Sequence, residues 1–600
     1  MNLQSVPPQT LERLLDELDV LKRPDGDRRS RARLRGLLAM AARRDFEAAR
    51  PLVRFHEILL FLRAYPQSAG LLRQAERLLA SFGRRVEKLY AGEAADLVAF
   101  EEAEASGIAG TSFSAVFSYD IARWLAARHP SRVRIEWGGN EDAAQLAATL
   151  PLLVPLLDEN AYVDIYFSRE DWLRAARGRT REITWLARAF ARWELPERAK
   201  AVVYDSLKLA LRWQLGDSGA TRTRMKRPVR EVFYHDAPLV SRRDVSLARE
   251  LSDAAPLPVE KLSPAGGRRL LDAGRETMSV RYRELYGFTH GDPRGVRRAE
   301  VGRGVEIFLW GVPAARRYPT IAYHAMLIFK NGVPCGYAEG LTLCERTEVG
   351  LNLFHTFREG ESAWVYARLL RLMRQLLGAR VFSVEPYQLG FHNDEGIQSG
   401  AFWFYRKLGF RPVLPRLARL VEREERKLAE RPGYRSPAPV LRQLATGHML
   451  YEAPASSTDR HAHSSSKEAR ASSTVEQATT SSPGEWDNFH LRRLGLAVQR
   501  RIAAHHDGDP ERAHRAAVKR VERALGAGTA RWNEAERRAL RDLSLVLALI
   551  PDLSRWTPDE KRALLQIVRA KAGSDETRYL RLLQQHTRLR REIIRMGSER

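Results

Sequence analysis

The sequence predicts an α+β protein of several domains, in which a mixed sheet with helices is flanked by a mostly helical N-terminal region and a helical C-terminal domain. Three observations carry this. Apolar residues recur at helical spacing at both ends of the 600-residue chain. Between about 300 and 357 they alternate as in strands, around an Asn331-Gly332 turn pair. From Glu348 to Pro412 the pattern runs strand, charged turn, long helix, strand, helix, strand.

Taken in order, residues 1–95 read as helices, because Leu11, Leu14, Leu15 and Leu18, then Phe55, Ile58, Leu59, Phe61 and Leu62, repeat at the helical period. Residues 96–275 form a mixed α/β region. Arg132–Trp137 and Tyr162–Phe167 alternate as strands, with an apolar helix-like run from Ala143 to Leu157 between them. Thr184 to Leu215 reads as two helices parted by Pro196. The polar stretch 241–275 holds Pro256, Pro258, Pro264 and Gly266-Gly267 and reads as a boundary. A sheet domain over 276–452 follows, with strands at Val305–Trp310, Ile321–Phe329, Val333–Leu343 and Glu348–Phe357. Residues 453–485 are rich in Ser, Thr and Ala, the composition of a disordered linker. Its His461-Ala-His463 lacks further ligands, so no metal is expected. Residues 486–600 read as a basic helical domain. Thr557-Pro-Asp-Glu560 is a capping box with a first-turn Pro, and Tyr579, Leu582, Leu583, His586, Leu589, Ile593 and Ile594 form one apolar stripe.

The formal net charge is +25, and only 13 of the 99 basic residues are Lys. Residues 491–600 hold 25 basic and 14 acidic side chains, a surplus of 11. Two readings stay open: a polyanionic partner such as RNA, DNA or an acidic carrier protein, and Arg-rich solvated helix faces without the dense basic runs of a nucleic-acid motif. Two cysteines, Cys335 and Cys344, exclude a disulfide framework and a Cys-based zinc site. No run approaches the roughly 18 apolar residues of a membrane span. The Leu11–Leu18 pattern lacks the basic start of an export signal, so a cytoplasmic protein is expected.

Chemistry concentrates in Glu348–Pro412. The turn Arg358-Glu-Gly360-Glu361-Ser362 feeds a helix from about Ala363 to Leu377, with Gly378 placed to cap its C-terminus and Val381–Val384 as the next strand. A helix N-terminus offers free N–H groups and a positive dipole end, which suit a pyrophosphate, and Arg358 adds a fork able to grip phosphate. Further on, Tyr405 lies in a helix through Ala401–Leu408, and a phenol there is able to protonate a departing thiolate. Phe402, Trp403 and Phe404 read as core.

Ala401-Phe-Trp-Phe-Tyr405-Arg-Lys-Leu-Gly409-Phe410 resembles the late signature of the GNAT superfamily of acyl-CoA N-acyltransferases. Arg358-Glu-Gly-Glu361-Ser-Ala363 is similar to that family's pyrophosphate turn, with the central Gly displaced to Gly360. The resemblance covers about 300–415 and implies a GNAT-like mixed sheet and acetyl-CoA or another acyl-CoA as donor, without metal. It implies Tyr405 as acid toward the CoA sulfur, and donor contacts at Arg358, Gly360, Glu361, Ser362, Ala363 and Gln398, the last standing where Asn is usual. Glu348 is the first candidate base, where several members place a carboxylate, with Glu339 and His355 as runners-up. Glu385 and His392 lie in a long connection that suits either acceptor contacts or a turn.

The expected function is transfer of an acyl group from acyl-CoA, or an acyl carrier, to an amine-bearing acceptor, small molecule or protein. If solvated, Glu359 and Glu361 would each oppose a pyrophosphate by ~1 kcal/mol. That repulsion keeps two alternatives in view: a non-catalytic GNAT-like scaffold binding nucleic acid or protein, and a transferase dependent on aminoacyl-tRNA.

Overall fold

The computed structural model describes residues 10–137, 143–154, 169–253, 255–454, 484–526 and 528–599. The expected strand Tyr162–Phe167, the end of the expected Ala143–Leu157 helix and all but the ends of the 453–485 linker, His461 and His463 included, lie outside the described residues.

Helices Leu11–Leu21, Arg28–Arg43, Ala49–Ala64, Ala69–Ala80 and Phe82–Ala91 build the N-terminal region. Thr10, Asp27 and Ser68 cap three of them, each side-chain oxygen accepting an N–H of the first turn. Ala49–Ala64 is apolar on nearly every side and correspondingly buried.

The mixed region holds a small antiparallel sheet of β1 (Ser112–Val116), β2 (Val133–Ile135) and β3 (Ala210–Gln214), in the order β1-β3-β2. The strand expected at 132–137 is β2. The second of the two helices expected over Thr184–Leu215 is shorter than read. Helices Glu182–Arg192 and Glu197–Ser206 flank Pro196, but Ala210–Gln214 is a strand, because Leu209, Leu211 and Trp213 alternate at a period of two and are all buried in this sheet's core.

The large sheet contains β4 (Val259–Lys261), β5 (Arg297–Gly302), β6 (Val305–Trp310), β7 (Ala322–Lys330), β8 (Val333–Leu343), β9 (Arg346–Leu353), β10 (Val381–Val384), β11 (Arg411–Pro412) and β12 (Met449–Glu452). Its order is β11-β12-β10-β9-β8-β7-β6-β5-β4. All neighbours are antiparallel except β9 and β10. Asn331 and Gly332 take φ of 48° and 79°, as the two-residue hairpin between β7 and β8 requires. The sheet starts earlier than its alternating pattern does, since β4 lies in the stretch read as a boundary, and Gly266-Gly267 fall inside the helix Pro264–Ser279. β9 stops at Leu353 rather than Phe357. The Phe357 N–H turns back to the Phe354 carbonyl at 2.8 Å, and His355–Phe357 form a 3-10 turn. Helix Ser362–Leu377 follows, ended by Gly378 in the left-handed conformation. Short helices Asp394–Gln398 and Ala401–Lys407 connect β10 to β11.

Helices Leu491–His506, Pro510–Leu525, Glu534–Leu547, Pro558–Lys571, Thr577–Gln585 and Thr587–Ser598 form the C-terminal domain, with the expected capping box at Thr557 and Glu560. It shares a continuous apolar core with the large sheet and the N-terminal helices. Polar anchors fix the contact. Gln584 donates to the Cys344 and Leu377 carbonyls at 2.9 and 2.8 Å, Arg590 Nε reaches both Glu345 oxygens at 2.9 and 3.0 Å, and Trp486 Nε1 donates to Glu345 at 2.7 Å. Both cysteines are buried and free. Among the described residues no helix is long and apolar enough to cross a membrane.

Glu345 is only 2% exposed, so Glu345→Ala strands the Trp486 N–H and leaves the Arg590 guanidinium with Glu485 as its remaining ion-pair partner at this interface. A loss of about 3 kcal/mol is expected, read as a lower unfolding midpoint, with limited proteolysis releasing the helices after Trp486 sooner than in the wild type.

Candidate active site

β9 and β10 pair over three residues only, Arg346, Thr347 and Glu348 opposite Val381, Phe382 and Ser383. β9 continues to Leu353 while β10 ends at Val384, which leaves one edge of β9 open. The Phe354 N–H donates to the Cys335 carbonyl of β8, so strand alternation turns the N–H groups of Leu351 and Leu353 into the opening.

A cleft of about 540 Å³ occupies this opening and reaches both faces of the sheet. Cross-strand partners share a face: Tyr337 with Asn352, and Glu339 with Gly350. These four line one side of the cleft, joined by Arg283, Tyr387 and Gln388. Helix Ser362–Leu377 packs on the other face, where its Met373 lies over Gly340. That side contributes Ser362, Phe404 and Tyr405. The Tyr405 ring is 5.5 Å from Tyr366, which is fully buried with an unpartnered hydroxyl. Burial pushes the Tyr405 phenol above its ordinary range and keeps it neutral.

The turn before the helix is built with its charges facing away. Gly360 lies against the Tyr65 ring of the N-terminal region, where an added Cβ would come within 2.4 Å of the Tyr65 hydroxyl oxygen. Glu359 pairs with Lys22 at 3.3 Å. Glu361 is 1% exposed and meets Lys330 Nζ at 3.3 Å, Arg303 Nε at 2.7 Å and the Val240 N–H at 3.1 Å. Burial works to raise the Glu361 pKa, but the Arg303 hydrogen bond and the Lys330 charge hold it below the usual carboxylate value. Burial lowers Lys330 to about 8 against the pull of Glu361. With both acids engaged elsewhere, the helix N-terminus has no side-chain cap, and Ser362 faces the cleft. Ala363 is buried in the first turn. Arg358 borders the cleft and is ion-paired with Glu395. Gln398 lines an adjoining cavity of about 910 Å³ that shares Arg358, Glu395 and Ser399 with the cleft.

The candidate bases separate. Glu339 lines the cleft and accepts the Tyr323 hydroxyl; burial raises its pKa, opposed by that hydrogen bond. Glu348 is on the same face of β9 as Gly350 but two residues deeper, and it does not line the cleft. The Gln388 amide sits over Gly350, 2.9 Å from where a Cβ would be. Glu348 belongs instead to a cluster in which Arg346 donates to Ser383 at 2.9 Å and to Glu385 at 3.3 Å. Burial pushes Glu348 up to about 7, the Glu385 charge adds to this, and Arg346 opposes it. His355 is exposed beside Glu104. Glu385 and His392 lie outside the cleft lining, which takes Tyr387, Gln388 and Asn393 from their connection instead. The pattern of β8 signals Tyr337 and Glu339 through the hairpin register; nothing in the local sequence signals Arg283.

Among the described residues no group of three or more His, Cys, Asp or Glu side chains is placed to hold a metal ion. Compared with protein-family models, curated proteins and solved structures, the chain matches none. The fold and cleft by themselves define an α+β protein with a ligand-sized opening at the parted ends of the parallel pair β9 and β10.

Glu348 binds protons more tightly folded than unfolded, so its ionisation destabilises the fold as pH rises from about 4.5 toward about 7. Glu348→Gln is expected to be more stable than the wild type by up to about 3 kcal/mol above pH 7, with the difference vanishing near pH 4. Chemical denaturation at the two pH values checks this.

Proposed function

We propose that the chain is a GNAT-type N-acyltransferase that moves an acyl group from acetyl-CoA or a longer acyl-CoA to an amine. One observation carries this reading. A single cleft brings together an uncapped helix N-terminus at Ser362, a buried neutral phenol at Tyr405 and a carboxylate of raised pKa at Glu339, with the donor-side and acceptor-side groups on opposite faces of the sheet. The antiparallel run that ends in one parallel pair, with β12 and β11 beyond it, supports the same reading.

The N–H groups of the first turn of Ser362–Leu377 suit the donor's pyrophosphate, and the Arg358 guanidinium reaches it by exchanging its pairing with Glu395 for the phosphate. The repulsion expected from Glu359 and Glu361 is removed by Lys22, Lys330 and Arg303. The acceptor amine attacks the thioester carbonyl, forming the C–N bond as the C–S bond breaks. Glu339 takes the amine proton, directly or through a water. The N–H of Leu351 or Leu353 faces the developing oxyanion. Tyr405 hydrogen-bonds the departing sulfur and supplies its proton, which solvent returns from Glu339. The base role thus passes from Glu348, the carboxylate the sequence favours, to Glu339.

Thermal melting with CoA, acetyl-CoA and longer acyl-CoAs tests the reading. Stabilisation near 2.7 kcal/mol is expected at roughly a hundredfold excess over Kd, and no shift with any of them would sink the proposal. Tyr405→Phe should lower kcat roughly 100-fold while keeping the donor-induced shift; unaltered turnover removes Tyr405 from the mechanism.

A further inference from the structure

Two guanidiniums line the cleft, and they differ in what they hold. Arg358 is neutralised by Glu395. Arg283 donates to the Tyr337 hydroxyl at 2.9 Å, with its guanidinium 5.7 Å from the centre of that ring, and forms no ion pair with a described residue. Glu339 is its counterpart of opposite sign. This carboxylate accepts the Tyr323 hydroxyl and is likewise paired with no described cation. One face of the cleft therefore holds a separated positive and negative charge that do not neutralise each other. Tyr337 stands near both. Burial raises its pKa, Arg283 opposes the rise and Glu339 adds to it.

Arg283 is also held in place from behind. Ser106 Oγ donates to the Val280 carbonyl at 2.7 Å. Tyr282 adopts φ of 55°, uncommon for an aromatic residue, and its ring stands edge-on to Phe113 of β1 at 5.1 Å. The Ser118 N–H donates to Glu284 at 3.0 Å. Both neighbours of Arg283 are thus gripped by the region around β1, and Arg283 alone of the three lines the cleft.

Resting on the acyltransferase reading, we propose that the acceptor is a free amino acid, its carboxylate held by Arg283 and its amine presented to Glu339. A planar carboxylate matches the guanidinium fork bidentately, and an amine at Glu339 places the nucleophile where its proton is removed. A simple amine leaves Arg283 unused. A carboxamide puts a neutral group against a half-buried cation and loses the charge-assisted bonds. The region around β1 acquires a role as the support of the acceptor site.

Acetyl transfer from acetyl-CoA is measured over matched pairs of L-amino acids and their carboxamides, with the wild type, Arg283→Gln and Arg283→Lys. The wild type should favour at least one free acid over its amide by roughly 100-fold in kcat/KM. Arg283→Gln should lose that preference through KM, with the CoA-induced melting shift retained. Arg283→Lys, which keeps the charge without the fork, should retain part of it and serves if Arg283→Gln does not fold. Equal use of acids and amides by the wild type, or a preference unchanged in the variants, overturns the inference while the transfer itself upholds the acyltransferase reading. A CoA shift without transfer to any member of the panel also overturns the acceptor class. Absence of any CoA shift overturns the reading beneath it.

Discussion

Glu361 enters a buried position at the start of the Ser362–Leu377 helix, where Lys330 from the end of β7 and Arg303 from the β5–β6 turn meet it. An ion removed from water this completely is costly unless its oxygens are occupied. Here they are, by two cations and the Val240 N–H. The consequence is positional. With the Glu361 carboxylate turned into the protein, the N–H groups of the following turn are left for a ligand, and Gly360 packs on Tyr65 at the end of the Ala49–Ala64 helix. The N-terminal region is thus part of the site's construction. It supplies Tyr65 beneath the turn, a packing contact, and Lys22 against Glu359, a counter-charge that joins those of Lys330 and Arg303 on Glu361.

A second constraint is the brevity of the β9–β10 pairing. Three paired residues hold the strands together at one end, and the open edge of β9 exposes backbone N–H groups at the other. Because strand residues alternate in direction, this single opening gives access to both faces of the sheet. Under the proposed function, the face bearing Tyr405 and Ser362 takes the donor and the face bearing Arg283 and Glu339 the acceptor. Gln388 over Gly350 separates the second face from Glu348, which belongs to the Arg346–Glu385 cluster.

Much of this was legible in the sequence where a local rule decides the outcome. β6, β8 and β10 have the bounds their alternation predicts, and Asn331-Gly332 and Gly378 act as turn and cap. β3 was hidden because its alternating residues directly follow a helix, and short apolar segments fit both periods. The site was legible in part. Tyr405 and Ser362 come from one contiguous stretch and both reach the cleft. Glu348, favoured by its place on β9, lies outside the cleft lining behind Gln388, which arrives from a connection no strand pattern describes. Arg283 carries no local signal, because its place at the cleft depends on a loop held by Phe113 and Ser118, more than 160 residues away in sequence.

On the proposed reading, the opening between β9 and β10 receives an acyl donor. A crystal structure of the protein with a non-hydrolysable acetyl-CoA analogue tests it most directly. The pyrophosphate is expected at the N–H groups of Ser362 and Ala363, the carbonyl between the β9 edge and Tyr405, and the sulfur nearest the Tyr405 hydroxyl. An analogue bound elsewhere, with the β9–β10 opening unfilled, would contradict it.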